Sequence, residues 1–291
     1  MVILWLLTLQ IIAKPLKKEF SPNTATLGFI LTSTDFQIED RAECLVFRIT
    51  RPARLNAITG SVLNGLEQCI DSLEQDTGNR GLIIIGDGEK AFCAGTDLFE
   101  RNSMSEDDRA KKSDRARDLI VRLHRASFIS IAALNGLAYG GGLELAMACT
   151  FRIALPQVNC SLPEVKIGLI PAYAGTQLLP AIVGPSRALD MMITGRPIDS
   201  EEALQFGLIN RITIPEIPLL DQARHYLSSI TKHSKVALNA IRACAEVATP
   251  QLGEAGLQIE KDYVVAVGKS EDAKEGVAAF REKRAAIFKH R

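Results

Sequence analysis

Up to about residue 155 the chain alternates short apolar runs with stretches of helical periodicity; beyond about residue 185 only the helical pattern continues. Parallel strands need a long crossover between them, usually a helix, so this alternation restricts the first part to an α/β fold. The apolar runs are ECLVFRI (43–49), GLIII (81–85), ISIAAL (129–134) and FRIAL (151–155). They are short and bounded by charged or turn-forming residues, as strands are. Between them, residues 59–76 place Val62, Leu63, Leu66, Ile70 and Leu73 on one helical face, with Thr59 as N-cap. A second helix is predicted over 105–125, where Ser105 caps an acidic first turn of Glu106, Asp107 and Asp108. Further helices are predicted over 185–193, 199–206, 217–231, 234–248, 251–267 and 271–283. With few strands left to cover, they are expected to pack over the core or against a neighbouring subunit.

Charge narrows the range of ligands. Lys+Arg and Asp+Glu both number 34, so no global excess draws the chain toward nucleic acid or an anionic membrane. An anionic ligand must be held by local features. The six cysteines are scattered, with no C-x-x-C pair and no histidine at ligand spacing. That pattern fits reduced thiols in an intracellular compartment, and no metal site is expected. Val2 to Ile12 is apolar and is followed by Lys14, Lys17 and Lys18, the reverse of a secretory signal and too short to span a bilayer. Residues 1–34 are therefore read as an extension outside the fold, consistent with an early start codon; a membrane-touching tail is the alternative. Residues 35–228 are assigned to the core and 229–291 to a helical C-terminal region.

Three segments carry candidate chemistry. GDGEKAFCAGTD (86–97) is a glycine-bearing turn directly after a strand. Its Gly86-x-Gly88-x-x-Ala91 superficially matches a dinucleotide fingerprint, but no long helix opens there to receive a phosphate. NGLAYGGGLELA (135–146) sets Gly140, Gly141 and Gly142 before an apolar helix. Without Cβ atoms a ligand can approach the backbone closely, and the N–H groups at the positive helix end can stabilise an oxyanion. Close helix packing is the competing explanation for three glycines alone. LPEVKIGLIPAYAGTQLLP (162–180) places Glu164 after a proline at the end of a strand-like stretch, and a lone glutamate is by default a surface residue.

Taken together and in order, these segments resemble the crotonase (enoyl-CoA hydratase/isomerase) superfamily. The match rests on RPARLNAI (51–58), AFCAGTD (91–97), NGLAYGGGLELA (135–146), PEVKIGLIP (163–171), AGTQ (174–177), TGRPI (194–198), the A-x-x-x-G-L-I-N pattern (203–210) and the E-G-x-x-A-F-x-E-K-R pattern (275–284). It covers roughly residues 36–288. The resemblance implies a spiral of ββα units with a helical C-terminal oligomerisation region, forming a homotrimer or a dimer of trimers. It implies an enoyl-CoA hydratase with Glu144 and Glu164 as acid/base pair and an oxyanion hole from the backbone N–H groups of Thr96 and Gly141. It further places Arg54, Leu55, Ala94, Asp97 and Gly140 along the CoA thioester, and Phe280 and Lys283 against a neighbour's CoA. No cofactor is implied, since CoA is part of the substrate, and the expected location is the cytoplasm, or the mitochondrial matrix in a eukaryote.

Some positions depart from the family pattern: Thr96 stands where Ala is usual, Ala174 where Gly is usual, Leu178 for Arg and Thr150 for Asp, and Ser127-Phe128 replaces a Pro-bearing approach. Two glutamates favour hydration over isomerisation, although FCAGTDLFERNSMSEDD (92–108) is similar to the methylglutaconyl-CoA hydratase subgroup. An RNA-binding role through the basic residues between Arg109 and Arg125 is the weaker alternative. Asp114 and Asp118 interrupt the charge, and no aromatic side chains interleave. A serine hydrolase is excluded by the lack of a G-x-S-x-G elbow.

Overall fold

The apolar runs become the centre of a seven-stranded sheet. The computed structural model of the chain describes residues 30–247 and 253–291. The large sheet begins with β1 (Ile30–Thr32), β2 (Phe36–Arg41) and β3 (Cys44–Ile49), which pair antiparallel in succession. It continues in parallel through β4 (Gly81–Gly86), β6 (Ser130–Leu134), β8 (Phe151–Ala154) and β11 (Arg211–Ile212). A four-stranded sheet holds β5 (Ala91–Cys93), β7 (Leu137–Tyr139), β9 (Asn159–Ser161) and β10 (Ile198–Asp199), in the order β10-β9-β7-β5. Successive passes of the chain lay one strand in the large sheet and the next in the small one. Helices α1 (Gly60–Gln75), α3 (Glu106–Arg125) and α4 (Gly141–Ala148) make the returns. This is the expected ββα spiral.

Burial explains the sequence pattern. In β4, Leu82 and Ile84 join the main core with α1 and α3, while Ile83 and Ile85 pack against Leu219, Ala223 and Leu227 of α8 (Leu219–Thr231) on the other face. A strand covered on both faces loses polar alternation. Thr59 and Ser105 cap α1 and α3 as the sequence suggested, their hydroxyls accepting from the N–H of Val62 and Asp108. Thr150 and Ser130 exchange hydrogen bonds, each hydroxyl accepting from the other's N–H, so the absent Asp is replaced by a neutral pair at 3.2 and 3.0 Å.

Several elements differ from the expectation. β1 lies inside the stretch assigned to the extension, because Ile30–Thr32 pairs with β2; residues 1–29 of that stretch lie outside the described residues. The short strands β5, β7, β10 and β11 are too brief to be read, whereas β9 falls in the strand-like stretch before Pro163. α2 (Leu98–Ser103) also went unread, whereas α5 (Gly175–Val183) opens where the sequence suggests a second turn-helix transition, at Pro171 to Thr176. α4 starts at Gly141, not after the glycines: a Cβ at Gly142 would collide with the Cys93 carbonyl, so the glycine lets the helix lie on β5. Remaining helices are α6 (Pro185–Thr194), α7 (Ser200–Gln205), α9 (Lys235–Glu246), α10 (Glu254–Gly268) and α11 (Glu271–Glu282). Part of the helix expected over 251–267 begins outside the described residues. None of the described helices is long and apolar enough to cross a membrane.

Candidate active site

The turn at 86–91 is closed by two buried asparagines. Asn56 donates to the carbonyls of Asp87 and Ala91, and Asn135 accepts from the Gly86 N–H while donating to Gly88 and Ala91. The turn leads into β5 and not into a helix, so its N–H groups present no phosphate cradle. The next turn, Ala94 to Asp97, is tied on one side to residues 55–58. Ala94 N–H donates to Leu55 O, Ile58 N–H to Gly95 O, and Asp97 N–H to Ile58 O, at 2.9, 2.7 and 3.0 Å. On the other side Gly95 presses on α4: a Cβ there would stand 3.0 Å from the Gly141 nitrogen. Gly140 takes φ +51, and a Cβ on it would meet Glu164 Oε1 at 2.9 Å. Glycine at 140 thus serves both the backbone turn and the close approach of a carboxylate.

These segments converge on a cleft of about 570 Å³. Among its lining residues are Thr96, Gly140, Gly141, Glu144, Glu164 and Tyr173. Glu144, on the first turn of α4, is 1% exposed, and its Oε1 accepts from the N–H groups of Tyr173 and Gly175 at 2.8 and 2.7 Å. Burial, and then the charge of Glu164, push its pKa up to about 7, although the two N–H donors pull it down. Glu164 opens a 3-10 turn (Glu164–Ile167) behind Pro163; burial raises its pKa too, and its buried Oε2 has no hydrogen-bond partner among the described residues. Neither the Thr96 N–H nor the Gly141 N–H donates to a protein acceptor among the described residues. Two carboxylates of raised pKa beside unpaired N–H groups can exchange protons with a bound molecule and stabilise a developing oxyanion. Fold and cleft define an acid–base enzyme.

Other expected residues sit at the rim or elsewhere. Ala94 lines the cleft, whereas Leu55, at φ +51, reaches it only through its carbonyl bond to Ala94. Arg54 stacks over the Phe99 ring at 4.2 Å. The Asp97 carboxylate is already engaged: it caps α2 through the N–H groups of Phe99 and Glu100 and pairs with Arg51 at 2.8 Å. Phe280 on α11 is 85% exposed, and Lys283 is the left-handed cap of the same helix; neither lines the cleft. The basic residues of α3 are largely matched by acids, with Arg115 on Glu67, Arg122 on Asp71 and Glu74, and Lys112 on Glu100. That pairing leaves little of the positive face an RNA strand would need. Among the described residues no cluster of His, Cys, Asp or Glu could hold a metal ion. Tyr173 was missed; the only signal was an aromatic residue inside the Ala-Gly turn after Pro171.

Comparison with known proteins identifies the family. The sequence model of the family described as enoyl-CoA hydratase/isomerase matches residues 39–291. A probable enoyl-CoA hydratase of Bacillus subtilis is 37% identical over 235 residues, covering 80% of this chain and 91% of that protein. The crotonyl-CoA hydratase of Syntrophomonas wolfei is 32% identical over 251 residues, covering 86% and 96%. The crystal structure of the Bacillus anthracis enoyl-CoA hydratase superposes with a TM-score of 0.83 at 31% identity, covering 88% of this chain and all of that one. The chain belongs to the enoyl-CoA hydratase/isomerase family of the crotonase superfamily.

Proposed function

We propose that the protein is an enoyl-CoA hydratase that adds water across the 2,3 double bond of an enoyl-CoA thioester. The observation that carries this reading is the state of the two glutamates. Glu144 has one oxygen fixed by two backbone donors, and its pKa of about 7 suits a base working near neutrality. Glu164 faces the same cleft with a buried oxygen still unpartnered. In the reaction, Glu144 takes a proton from water as its oxygen attacks C3, and Glu164 gives a proton to C2. The thioester oxygen carries the negative charge between these events and is met by the N–H groups of Thr96 and Gly141. Glu144 ends protonated and Glu164 ionised, and a proton passing between them or through solvent resets the site.

The CoA portion follows Leu55 and Ala94, with Arg54 near the phosphates and Phe280 and Lys283 reaching a neighbouring subunit's CoA in a trimer or dimer of trimers. Asp97 supports this path by holding the turn in place. No cofactor is required, because CoA arrives with the substrate. One observation favours a methylglutaconyl-type variant of the same reaction: Arg101 and Arg109 line the cleft, and neither has a carboxylate partner among the described residues. A carboxylate at the far end of the acyl chain would suit them.

The test is hydratase activity on crotonyl-CoA and on 3-methylglutaconyl-CoA for the wild type and for Glu144→Gln and Glu164→Gln. Each substitution is expected to lower kcat by roughly 10²–10⁴ with CoA-ester binding largely kept. Near-full activity in both variants would refute the assigned roles, and a wild type inert on every enoyl-CoA would refute the reaction.

A further inference from the structure

The turn that carries Thr96 and the loop that holds Glu144 belong to different passes of the spiral. The turn's backbone bonds run to residues 55–58, away from that loop. The loop carries the N–H groups of Tyr173 and Gly175 that fix Glu144. One hydrogen bond joins the two among the described residues: Tyr173 OH and Thr96 Oγ1 stand 2.6 Å apart. The tyrosine is well placed to transmit position. It is 5% exposed, and its ring lies on the face of Gly141, where a Cβ would meet Tyr173 Cδ2 at 2.8 Å. Burial raises its pKa, so the phenol keeps the proton that the pair needs.

We infer that the Tyr173–Thr96 hydroxyl pair is a latch that sets the distance between the Thr96 N–H and the Glu144 carboxylate, making Tyr173 a positioning residue for hydration. This rests on the function proposed above. An oxyanion donor and a base must act on one substrate at once, and small misplacements of either are costly in rate. Tyr173 links them directly: its N–H holds the base, its hydroxyl holds the turn with the donor, and its ring blocks sideways movement at Gly141. Without the hydroxyl pair, no hydrogen bond among the described residues would tie the turn to the loop of Tyr173; its remaining bonds run to residues 55–58, α2 and Arg51, with Gly95 only in van der Waals contact with α4.

A double-mutant cycle tests the latch. Tyr173→Phe keeps the ring and the backbone N–H, and Thr96→Val keeps the oxyanion N–H, so each removes one hydroxyl only. Each single variant is expected to lower kcat on crotonyl-CoA on the order of tenfold with KM within about twofold, and the double variant to be no worse than either single one. Losses that multiply, an unchanged kcat in Tyr173→Phe, or a change confined to KM would each overturn the latch. A second measurement needs neither substrate nor activity: backbone amide exchange of Gly95 to Asp97 followed by NMR. Faster exchange there in both single variants supports the latch, and unchanged exchange overturns it. Failure of the hydratase reading would look different, as a wild type without turnover whose amides still respond to the two substitutions.

Discussion

Glu144 shows at the scale of one residue how a buried carboxyl in a cleft opposes stability. Its carboxyl is held at a pKa of about 7, against an ordinary 4.5, mainly by burial. Between those values the folded chain binds more protons than the unfolded chain, so stability falls as pH rises through the window. By pH 8 the loss is nearly complete and amounts to about 3 kcal/mol. Glu144→Gln is expected to remove this slope and to be the more stable protein at pH 8 but not at pH 4.5, as denaturant melts at the two pH values would show. A wild-type stability that rises between pH 5 and 7, with no flattening in the variant, would contradict the assignment. The same carboxyl should give kcat/KM an acidic limb near pH 7. The sequence showed Glu144 and Glu164 only through their neighbours, Gly140 to Gly142 and Pro163, because nothing in a single glutamate codon reports burial. Tyr173 stayed unread for a related reason: its importance lies in a contact with a residue on another pass of the chain.

At the scale of elements, long buried strands and capped helices were legible and short ones were not. β4 and β6 carry enough uninterrupted apolar residues to stand out, whereas β7 (Leu-Ala-Tyr) and β9 (Asn-Cys-Ser) are strands only because β5 and each other are there to pair with. Context overrides propensity in such segments. α4 shows the opposite case, where a helix end is fixed by interactions no local pattern reveals. Buried Arg152 donates to the Cys149 carbonyl at 2.7 Å and to Leu208 O at 2.6 Å, placing a cation at the negative end of the helix whose other end faces the cleft. α5 carries a visible defect. Its N-cap, Ala174, sits at φ +76, a left-handed conformation that an L-residue adopts at a cost. Ala174→Gly should stabilise the protein by about 0.5–1 kcal/mol, since relief of strain exceeds the added unfolded-state entropy. Thermal melts would show it, and an unchanged or lower Tm would mean that the loop relaxes in some other way.

For the molecule as a whole, the C-terminal helices are the part least explained by one chain. No side chain of α10 is buried, and Leu257, Val264 and Val265 on it are exposed, as are Val277 and Phe280 on α11. α9 is docked to the core by Arg242, which donates to the carbonyls of His124, Ala126 and Phe128. Beyond α9 that anchoring ends and a large apolar surface is left to solvent, as in a subunit awaiting partners. Sedimentation analysis is expected to find a trimer or hexamer, and Phe280→Asp to weaken it. A stable monomer at micromolar concentration would rule out the assembly. The amphipathic pattern of these helices was plain in the sequence, but nothing in the pattern reports which face meets what.

The ββα alternation also determines how the cleft comes into being. Thr96 comes from the β4–β5 pass, Gly141 and Glu144 from β6–β7, and Glu164 and Tyr173 from β8–β9, so no pass owns a complete set of functional groups. Occupancy of the cleft therefore reports on the whole spiral at once: a chain in which any one pass is frayed has no partial site to offer. A CoA ester that binds there will protect all three passes together, and its affinity is a gauge of how completely the chain has folded.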